Sequence, residues 1–307
     1  MGESTVHASA KFSGWSQGRR CGVAITGASG WIGRAMAHAV LEANGSGPIR
    51  LFGSRAGLVE AAGRTLPLEA LESARPLGDG EWIVLHLAVA GADRVAEPEA
   101  LRALNDGLLA SVFALMEGAR VRRFVSASSG AVHQLGQGSP EKQAYAALKQ
   151  SQELAARRWA RRANRPLLIP RIFNVGGPYM NHAERYALGD FVRQALAGGV
   201  IEIGATRPVI RSYVHVLELA RVVLDLALSD TDDIVVETEG AAVVEMEDLA
   251  EAVGRALGLK LDIRRPRLTS DSEDRYVGDG ALYRAALGGE PAGLDQIIRA
   301  TAVGFRT

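Results

Sequence analysis

A glycine-rich turn near the beginning of the chain constrains the fold more than any other feature. Residues 22–34 read GVAITGASGWIGR, in which an apolar run at residues 23–25 precedes the glycines. A short apolar run of this kind predicts a strand that is buried on both faces of a parallel sheet. The residues after the glycines, 31–43, are typical of a helix. Strand, glycine turn and helix in this order are the context that a dinucleotide-binding fingerprint requires.

Each glycine of the turn has its own structural reason. Gly27 permits a sharp turn, Gly30 lets a pyrophosphate approach the backbone, and Gly33 lets the helix pack on the strand. Backbone N–H groups at the start of the helix suit phosphate oxygens. The cofactor-binding residues predicted at this turn are Gly27, Ser29, Gly30, Trp31, Ile32 and Gly33. An ordinary glycine turn of an α/β unit is the alternative interpretation.

The residues after the second predicted strand indicate which dinucleotide binds. That strand covers residues 49–52 and is followed by Gly53, Ser54 and Arg55. An NAD site usually has an acidic residue here that accepts hydrogen bonds from the ribose hydroxyls. A guanidinium instead suits a ribose 2′-phosphate. Ser54 and Arg55 therefore favour NADP as the cofactor, with NAD as the alternative, unless Arg55 is merely a solvated loop residue.

The middle of the chain predicts further alternating strands and helices. Apolar runs predict strands at residues 64–68 and 82–88, and His86 near the end of the second run is interpreted as a structural residue. Leucines at helical spacing predict a helix over residues 99–118, and another strand is expected at residues 123–127. This alternation predicts an α/β fold, in which a doubly wound parallel sheet is covered by helices.

A tyrosine and a lysine four residues apart form the most informative chemical pair. The helix predicted over residues 143–164 carries Tyr145 and Lys149, and the i, i+4 spacing places both on one face. A phenol has a pKa of about 10, and a nearby ammonium group lowers it by favouring the phenolate. Ser128 and Ser129 lie after the preceding strand, where a hydroxyl can hold a substrate oxygen. Tyr145, Lys149 and a serine hydroxyl are therefore the predicted catalytic groups.

Together, the glycine turn, Ser129 and the Tyr145–Lys149 pair resemble the extended short-chain dehydrogenases/reductases, and within them the NAD-dependent epimerase/dehydratase (nucleotide-sugar) family. The glycine spacing G-x-x-G-x-x-G has the form found in that superfamily, and the resemblance runs from about residue 21 to the C-terminus. It implies a Rossmann-type sheet, with Ser129 as the catalytic serine, Tyr145 as the acid/base and Lys149 also holding the cofactor ribose. It further implies that Leu87 and Ala88 lie at the cofactor.

Later motifs extend the resemblance to enzymes that act on nucleotide sugars. The segment RIFNVGGP from Arg171 is close to the family's R-x-x-N-x-x-G-P, and RSYVHV from Arg211 resembles R-D-F-I-H-V. The segment RYVGD from Arg275 resembles a later segment near the substrate. The resemblance implies that Asn174, Arg211 and Arg275 hold the diphosphate or adjoining groups, while Ser129 contacts the sugar. Guanidinium groups suit phosphate oxygens, although a surface ion pair is the alternative for each arginine.

Departures from the family pattern bear on the reaction. Dehydratases of the family carry Asp-Glu directly after the catalytic hydroxyl residue, where this chain has Gly130 and Ala131. Those side chains transfer no protons, so we expect no elimination of water. His133 and Ser212 replace a tyrosine and an aspartate of the family pattern, and Asn105 corresponds to an asparagine that supports the active site.

The favoured activity follows from the cofactor. NADPH can enter as a consumable reductant, so an NADPH-dependent 4-keto-sugar reductase is the preferred interpretation. A nucleotide-sugar 4-epimerase, usually of the NAD type in this family, is the alternative. A non-catalytic dinucleotide sensor of the same fold is the further alternative.

The order of the motifs predicts the domain organisation. A disordered tail is expected at residues 1–20, and a dinucleotide-binding Rossmann domain at residues 21–173. Residues 174–307 are expected to form mainly a substrate-binding lobe, with some segments returning to the core and the substrate in the cleft. Amphipathic patterns in this lobe predict helices at residues 247–257, 282–287 and 294–303.

Composition excludes several functional classes. The 35 Lys and Arg residues equal the 35 Asp and Glu residues, so no excess of charge favours nucleic acid or an anionic membrane. The single cysteine, Cys21, rules out an internal disulfide and fits a reducing compartment, so a cytoplasmic protein is expected. No apolar run is long enough to span a bilayer, and no ligand cluster argues for a metal. The amphipathic helices predict either a homodimer packed through a helix face or packing of that face in the core.

Overall fold

The computed structural model describes residues 21–43, 47–91 and 97–305, and the tail predicted for residues 1–20 lies outside them. Within the described residues the chain divides into two compact units. Unit 1 contains the chain up to Ile172 together with Ala220–Val236. Unit 2 contains Phe173–Leu219 together with the chain from Glu237 onward.

A large sheet, nine-stranded within the described residues, forms the centre of unit 1. Its strands, numbered along the whole chain, are β1 (Cys21–Thr26), β2 (Ile49–Gly53), β3 (Gly57–Ala61), β4 (Arg64–Ala70), β5 (Glu81–His86), β6 (Arg120–Ser126), β7 (Ser128–Ser129), β8 (Leu167–Ile172) and β12 (Ile234–Glu237). The spatial order is β12-β8-β6-β5-β1-β2-β4-β3, with β7 beside β8. Strands β2, β1, β5, β6 and β8 pair in parallel. This order is that of a doubly wound, Rossmann-type sheet, so the fold class that the sequence predicts is confirmed.

Six of the helices in the described part of the chain lie close to the predicted ranges, whereas the helices at Ala187–Gly198 and Val216–Leu228 are absent from the sequence prediction. In chain order they are α1 (Trp31–Glu42), α2 (Pro98–Leu115), α3 (Pro140–Ala163), α4 (Ala187–Gly198), α5 (Val216–Leu228), α6 (Met246–Leu257), α7 (Ala281–Leu287) and α8 (Leu294–Val303). Local signals explain the bounds of α3. Ser139 caps its first turn by accepting the Lys142 N–H, and Asn164 ends it in the left-handed conformation.

The strands of unit 1 supply most of its apolar core. Every residue of β1 is buried, as are Val84 and Leu85 of β5 and Phe124 of β6. Cys21 is part of this core, and burial raises the pKa of its thiol to about 11. The cysteine is therefore a small buried apolar group.

A hairpin at the sheet edge is absent from the sequence prediction. Strand β3 runs antiparallel to β4, and β4 lies parallel to β2. Ala62 and Gly63 join β3 to β4 with φ angles of 49° and 67°, which is the conformation of a two-residue hairpin turn. Ala62 is an uncommon residue in this conformation, so the turn carries little sequence signal.

Strand β11 is the central strand of the sheet in unit 2. The strands of this unit are β9 (Asn174–Gly176), β10 (Val200–Glu202), β11 (Val209–His215), β13 (Val243–Glu245), β14 (Asp262–Arg264) and β15 (Asp274–Tyr276). Strand β11 pairs in parallel with β9 and β15 and antiparallel with β13, while β10 pairs with β14. Helices α4, α6 and α8 bury their apolar faces in one shared cluster. No helix in the described part of the chain is both long and apolar enough to cross a bilayer.

Candidate active site

The turn after β1 packs too closely for side chains at two of its glycines. Gly27 has a φ angle of +73°, and a Cβ there would lie 2.8 Å from the Ala88 nitrogen. A Cβ on Gly33 would collide with the Gly27 carbonyl oxygen. Gly30 is less crowded, since among the described atoms a Cβ there would meet the same oxygen at 3.3 Å. The backbone of the turn is therefore compact at Gly27 and Gly33 and more open at Gly30.

Helix α1 begins directly after this turn. Within the described residues no side chain caps its N-terminus, and its first turn contains no acidic residue. Such a helix start presents backbone N–H groups and the positive end of the helix dipole. Ser29 is exposed beside it, Trp31 is buried and Ile32 is partly buried. The turn follows the carboxyl end of β1, where sheets of this type bind their ligands.

Ser54 and Arg55 lie at the same edge of the sheet. Both residues are exposed and follow the last residue of β2. The Ala28 N–H donates to the Phe52 carbonyl at 3.1 Å, which joins the glycine turn to the end of β2. The structure therefore places the guanidinium-bearing loop next to the glycine turn, on the adjoining strand.

The loop after β5 is held by Asn105. The Asn105 side chain accepts the Ala90 N–H at 3.0 Å and donates to the Ala90 carbonyl at 3.1 Å. At the start of the same loop, the Leu87 N–H donates to the Thr26 carbonyl at 3.1 Å. These contacts hold Leu87 and Ala88 at the end of β1. Asn105 thus supports this region through two hydrogen bonds to the backbone of Ala90.

His86 is a neutral, buried residue at the end of β5. Its Nδ1 lies 2.9 Å from the Thr26 hydroxyl. Burial, together with the nearby Lys149 ammonium, lowers the pKa of the imidazole to about 3. The ring therefore stays uncharged at physiological pH, which agrees with a structural role.

Ser129 and Lys149 meet at one short segment. Lys149 is 5% exposed, and its Nζ donates to the Ala127 carbonyl at 3.1 Å, two residues before Ser129. Burial lowers the pKa of Lys149 to about 8, while Glu153 acts in the opposite direction. Ser129 is 7% exposed, and its Oγ accepts the Ala131 N–H at 3.2 Å. The structure thus brings the predicted lysine to the segment that carries the predicted serine.

Tyr145 is the accessible member of the predicted catalytic set. It lies one turn before Lys149 on α3 and is 39% exposed. The i, i+4 spacing places both side chains on one face of the helix. A phenol at the accessible end of this face can reach a substrate, whereas the ammonium group is enclosed by protein.

Glu153 belongs to the same helix face but is absent from the sequence prediction. Its Oε1 accepts the Ser128 hydroxyl at 2.6 Å. Arg171 donates to the two Glu153 oxygens at 3.0 Å each. Glu153 continues the four-residue spacing of Tyr145 and Lys149, and that periodicity is the sequence signal that marks it.

In unit 2, Asn174 links neighbouring strands. Its Nδ2 donates to the Ser212 carbonyl at 3.1 Å and to the Tyr276 carbonyl at 3.2 Å. These contacts join β9 to β11 and β15. Ser212, which stands where the family pattern has aspartate, is buried, and its Oγ accepts the Gly240 N–H at 2.9 Å.

Arg211 lies against Asp274 and Tyr276. Its Nη1 donates to the Asp274 carbonyl at 2.6 Å, and its Nη2 lies 3.3 Å from the Asp274 carboxylate. The guanidinium carbon is 5.8 Å from the centre of the Tyr276 ring. Arg211 therefore forms an ion pair and also has an aromatic neighbour.

Arg275 is separated from these two residues. It is exposed in the middle of β15. Side chains alternate along a strand, so Arg275 lies on the opposite face from Asp274 and Tyr276, which Arg211 contacts. The structure brings Asn174 and Arg211 together around Tyr276 and leaves Arg275 apart from them. Across the described ranges, no group of three or more His, Cys, Asp or Glu side chains is arranged to hold a metal ion.

The match to a known family covers most of these features. A sequence model of the NAD dependent epimerase/dehydratase family matches residues 23–236, which is more than half of the chain. The chain belongs to this family. The matched range includes the glycine turn, Ser129, Tyr145 and Lys149 in unit 1. Comparison with curated proteins gives no match.

Solved structures share the fold of this epimerase/dehydratase family member along nearly its whole length. The UDP-N-acetylglucosamine 4-epimerase of Methanobrevibacter ruminantium, in complex with UDP-N-acetylmuramic acid, has a TM-score of 0.75 at 20% identity, over 94% of this chain and 99% of that chain. The UDP-glucose 4-epimerase of Thermus thermophilus, in complex with NAD, has a TM-score of 0.69 at 22% identity, over 93% and 99%. An NAD-dependent NDP-hexosamine 5,6-dehydratase of tunicamycin biosynthesis has a TM-score of 0.72 at 18% identity, over 93% and 97%. At these identities the likeness establishes the fold.

Proposed function

We propose that this protein is an NADPH-dependent reductase of nucleotide-linked 4-keto-sugars. The observation that carries the proposal is the buried Lys149, held at Ala127 beside Ser129 and one helical turn from the accessible Tyr145. A phenol, an ammonium group and a hydroxyl in this arrangement suit proton transfer to a carbonyl oxygen. A non-catalytic dinucleotide sensor has no use for a proton donor, so the arrangement favours an enzyme.

The residues at the carboxyl edge of the sheet in unit 1 fit a dinucleotide. The close packing at Gly27 and Gly33 and the helix start at α1 suit a pyrophosphate. Exposed Ser54 and Arg55 suit a ribose 2′-phosphate, which is the basis for NADP over NAD. The bound nicotinamide would supply the hydride.

Three side chains of this protein are proposed to bind the substrate oxygen and to transfer the proton. In the proposed reaction Ser129 donates a hydrogen bond to the keto oxygen, and Tyr145 donates its proton to the same atom. Lys149 holds the ribose and stabilises the resulting phenolate. With a pKa of about 8, Lys149 is mostly charged at neutral pH, as this role requires.

The positions after Ser129 argue against dehydration. Elimination of water requires additional acid/base groups that act at neighbouring carbons. Gly130 and Ala131 offer none, and the Ala131 N–H is already bonded to the Ser129 Oγ. A reductase needs only one proton donor, which is why we favour reduction.

A nucleotide-sugar 4-epimerase is the second candidate. The fold supports it, because 4-epimerase structures match this chain over 93% or more of its length. An epimerase also needs only the tyrosine and the nicotinamide, and it regenerates its cofactor within one cycle. NAD would then be the expected cofactor.

Unit 2 is the proposed substrate-binding lobe. The Arg211 guanidinium, fixed by Asp274, suits the diphosphate of a nucleotide sugar, and Asn174 lies at the same strands. Arg275 is proposed to contact a more distant group of the substrate. A cytoplasmic location and a homodimer stay predictions from the sequence.

One experiment separates the candidates. The protein is incubated with NADPH and with UDP-, dTDP-, GDP- or CDP-linked 4-keto-sugars, and in parallel with NAD and the parent nucleotide hexoses. The absorbance of reduced nicotinamide is followed alongside product analysis. Stoichiometric oxidation of NADPH, absent in the Tyr145→Phe control, is the expected result. Inversion of a sugar without net change in the cofactor overturns the reductase in favour of the epimerase. A 4-keto-6-deoxy product from a parent hexose overturns the exclusion of dehydration.

A further inference from the structure

The segment Ala127–Ser129 is held in place by α3, by β8 and by β5, whose His86 carbonyl accepts the Ala127 N–H at 3.0 Å. Lys149 of α3 donates to the Ala127 carbonyl at 3.1 Å. Strand β7 pairs in parallel with β8, with Ser128 opposite Arg171 and Ser129 opposite Ile172. The backbone on both sides of Ser128 is thus fixed by contacts to other elements.

Glu153 connects these elements through its carboxylate. It is 7% exposed and accepts the Ser128 hydroxyl at 2.6 Å. The Arg171 side chain, 21% exposed, comes from β8, and its guanidinium donates to both carboxylate oxygens. Two oxygens that accept from a hydroxyl and a guanidinium fork form a charge-assisted network with defined geometry. Arg171 opens the R-x-x-N-x-x-G-P segment, and the structure assigns its side chain to this network.

We propose that Glu153 is a positioning residue of the active site, which aligns the segment carrying Ser129 and balances the charge of the buried Lys149. The predicted effect of Glu153 on turnover rests on the proposed function. Its predicted effect on the Lys149 charge is independent of that function. Glu153 lies one helical turn after Lys149, so one helix presents proton donor, ammonium and counter-charge at intervals of four residues.

The charged and titratable groups around Lys149 and Glu153 support this role. Lys149 and Glu153 contact neighbouring residues of one segment, Ala127 and Ser128, and uncharged His86 of β5 is within electrostatic range of the Lys149 ammonium group. Burial raises the pKa of Glu153, but hydrogen bonds from Arg171 and Ser128, with charge from Arg157, hold it below its ordinary value. Glu153 is therefore ionised at neutral pH, and its charge opposes the loss of the Lys149 proton that burial promotes.

Two variants separate the charge from the hydrogen bond. Glu153→Gln keeps the shape and an oxygen that can accept from Ser128, but it removes the negative charge. Ser128→Ala removes the hydroxyl and keeps the pair of Glu153 and Arg171. Glu42→Gln is the matched control, because Glu42 pairs with Arg221 at 2.7 Å at the other end of α1 from the glycine turn.

The first measurement needs no substrate. The full chain is labelled with ¹³C at lysine Cε, the Lys149 signal is assigned by its loss in Lys149→Arg, and its titration is followed by NMR. We expect the midpoint to fall by about 1 pH unit in Glu153→Gln and to stay unchanged in Ser128→Ala and Glu42→Gln. An unchanged midpoint in folded Glu153→Gln overturns the charge-balancing part of the proposal.

The second measurement uses turnover of a 4-keto-sugar with NADPH. We expect Ser128→Ala to lower kcat about tenfold or more with little change in KM for NADPH, because Ser129 loses its alignment. We also expect Glu153→Gln to lower kcat, and Glu153→Asp, which keeps the negative charge, to retain more activity than Glu153→Gln. If Ser128→Ala retains full kcat, the alignment part of the proposal is wrong. If the unmodified protein shows no turnover, the proposed function fails, while the NMR titration still decides the role of Glu153.

Discussion

Exposure distinguishes the side chains that the proposal assigns to proton transfer. Tyr145 is 39% exposed, whereas Lys149 is 5% exposed. The group that would meet the substrate is open, and the group that would set its ionisation is enclosed, where charge interactions are stronger. Because the two side chains have different roles in the proposal, each is tested by a substitution that keeps the other.

Tyr145→Phe removes the hydroxyl and keeps the ring. We expect kcat to fall by about 100-fold to 10,000-fold, the usual contribution of an acid/base group, with cofactor affinity nearly unchanged. Steady-state kinetics and cofactor titration measure the two effects. Tyr186→Phe, at another exposed tyrosine, is the control that should retain activity. A near-normal kcat for Tyr145→Phe would show that the phenol is not the proton donor.

Arg55→Ala tests the choice of cofactor. We expect the preference for NADP over NAD to shrink by about 10-fold to 100-fold, because a hydrogen bond to a charged group contributes about 1.5–3 kcal/mol. Calorimetric titration with both dinucleotides measures the change. Arg64→Ala, at an exposed arginine of β4, is the control. Equal affinity of the unmodified protein for NAD and NADP contradicts the prediction.

Arg211→Ala tests the nucleotide site in unit 2. We expect nucleotide-sugar affinity to fall by about 1.5–3 kcal/mol, the scale of a hydrogen bond to a charged partner. Binding is measured by thermal shift with UDP-, GDP-, CDP- and dTDP-sugars. Arg193→Ala, which removes a surface ion pair with Asp190, is the control. Unchanged affinity in folded Arg211→Ala would show that Arg211 pairs with Asp274 but does not bind the nucleotide sugar.

Among the secondary-structure elements, the end of α5 is held by a buried arginine of β6, Arg123, beside Arg122, which donates to the Leu228 carbonyl at 3.0 Å. Arg123 is 1% exposed. Its guanidinium donates to the carbonyls of Ala227, Ser229 and Asp232 at 3.2, 2.9 and 2.9 Å. A cation at this position satisfies carbonyls that a helix end leaves without partners, and it complements the helix dipole.

Arg123→Met should therefore lower the free energy of unfolding by at least about 3 kcal/mol, because buried carbonyls lose a charged donor. Urea unfolding followed by circular dichroism measures the loss. Arg120→Met is the control on the same strand, since Arg120 is 67% exposed and lies 3.8 Å from Glu81. The control should change stability by less than about 1 kcal/mol. Similar losses in both variants would refute the special role of Arg123.

For the stability of the complete chain, His86 predicts a specific pH dependence. Burial lowers the pKa of the imidazole from 6.5 to about 3 in the folded state. Between these values the unfolded chain binds the proton more tightly, so stability is lost as the pH falls from 6.5 towards 3. The contribution is on the order of 3 kcal/mol between pH 7 and pH 4.

His86→Gln should reduce this pH dependence. The variant has no imidazole at this position, so the difference in unfolding free energy between pH 7 and pH 4 should be smaller by about 3 kcal/mol. Urea unfolding at both pH values measures it. His133→Gln, at an exposed histidine, should keep the dependence of the unmodified protein. An identical pH dependence in His86→Gln contradicts the argument.

Features that depend on neighbouring residues could be predicted before the structure. The glycine turn, helices α1 and α8, and the spacing of Tyr145 and Lys149 follow from backbone preferences and from helical periodicity, which are local properties. The alternation of strands and helices predicts a doubly wound parallel sheet, and the structure confirms that fold class. The family predicted from these motifs is also confirmed. The catalytic, cofactor and substrate roles stay predictions.

Partners that are distant in sequence were decided only by the tertiary structure. Glu153 lies 25 residues from Ser128, and Arg211 lies 63 residues from Asp274, so no local pattern pairs them. The sequence predicts that some later segment returns to the core, but only the structure identifies Ala220–Val236 as that segment. Local backbone preference determines the conformation of a segment, but strand register and side-chain packing determine which segments come into contact. The network around Glu153 forms because the sheet places Ser128 beside Arg171, and that pairing exists only in the folded chain.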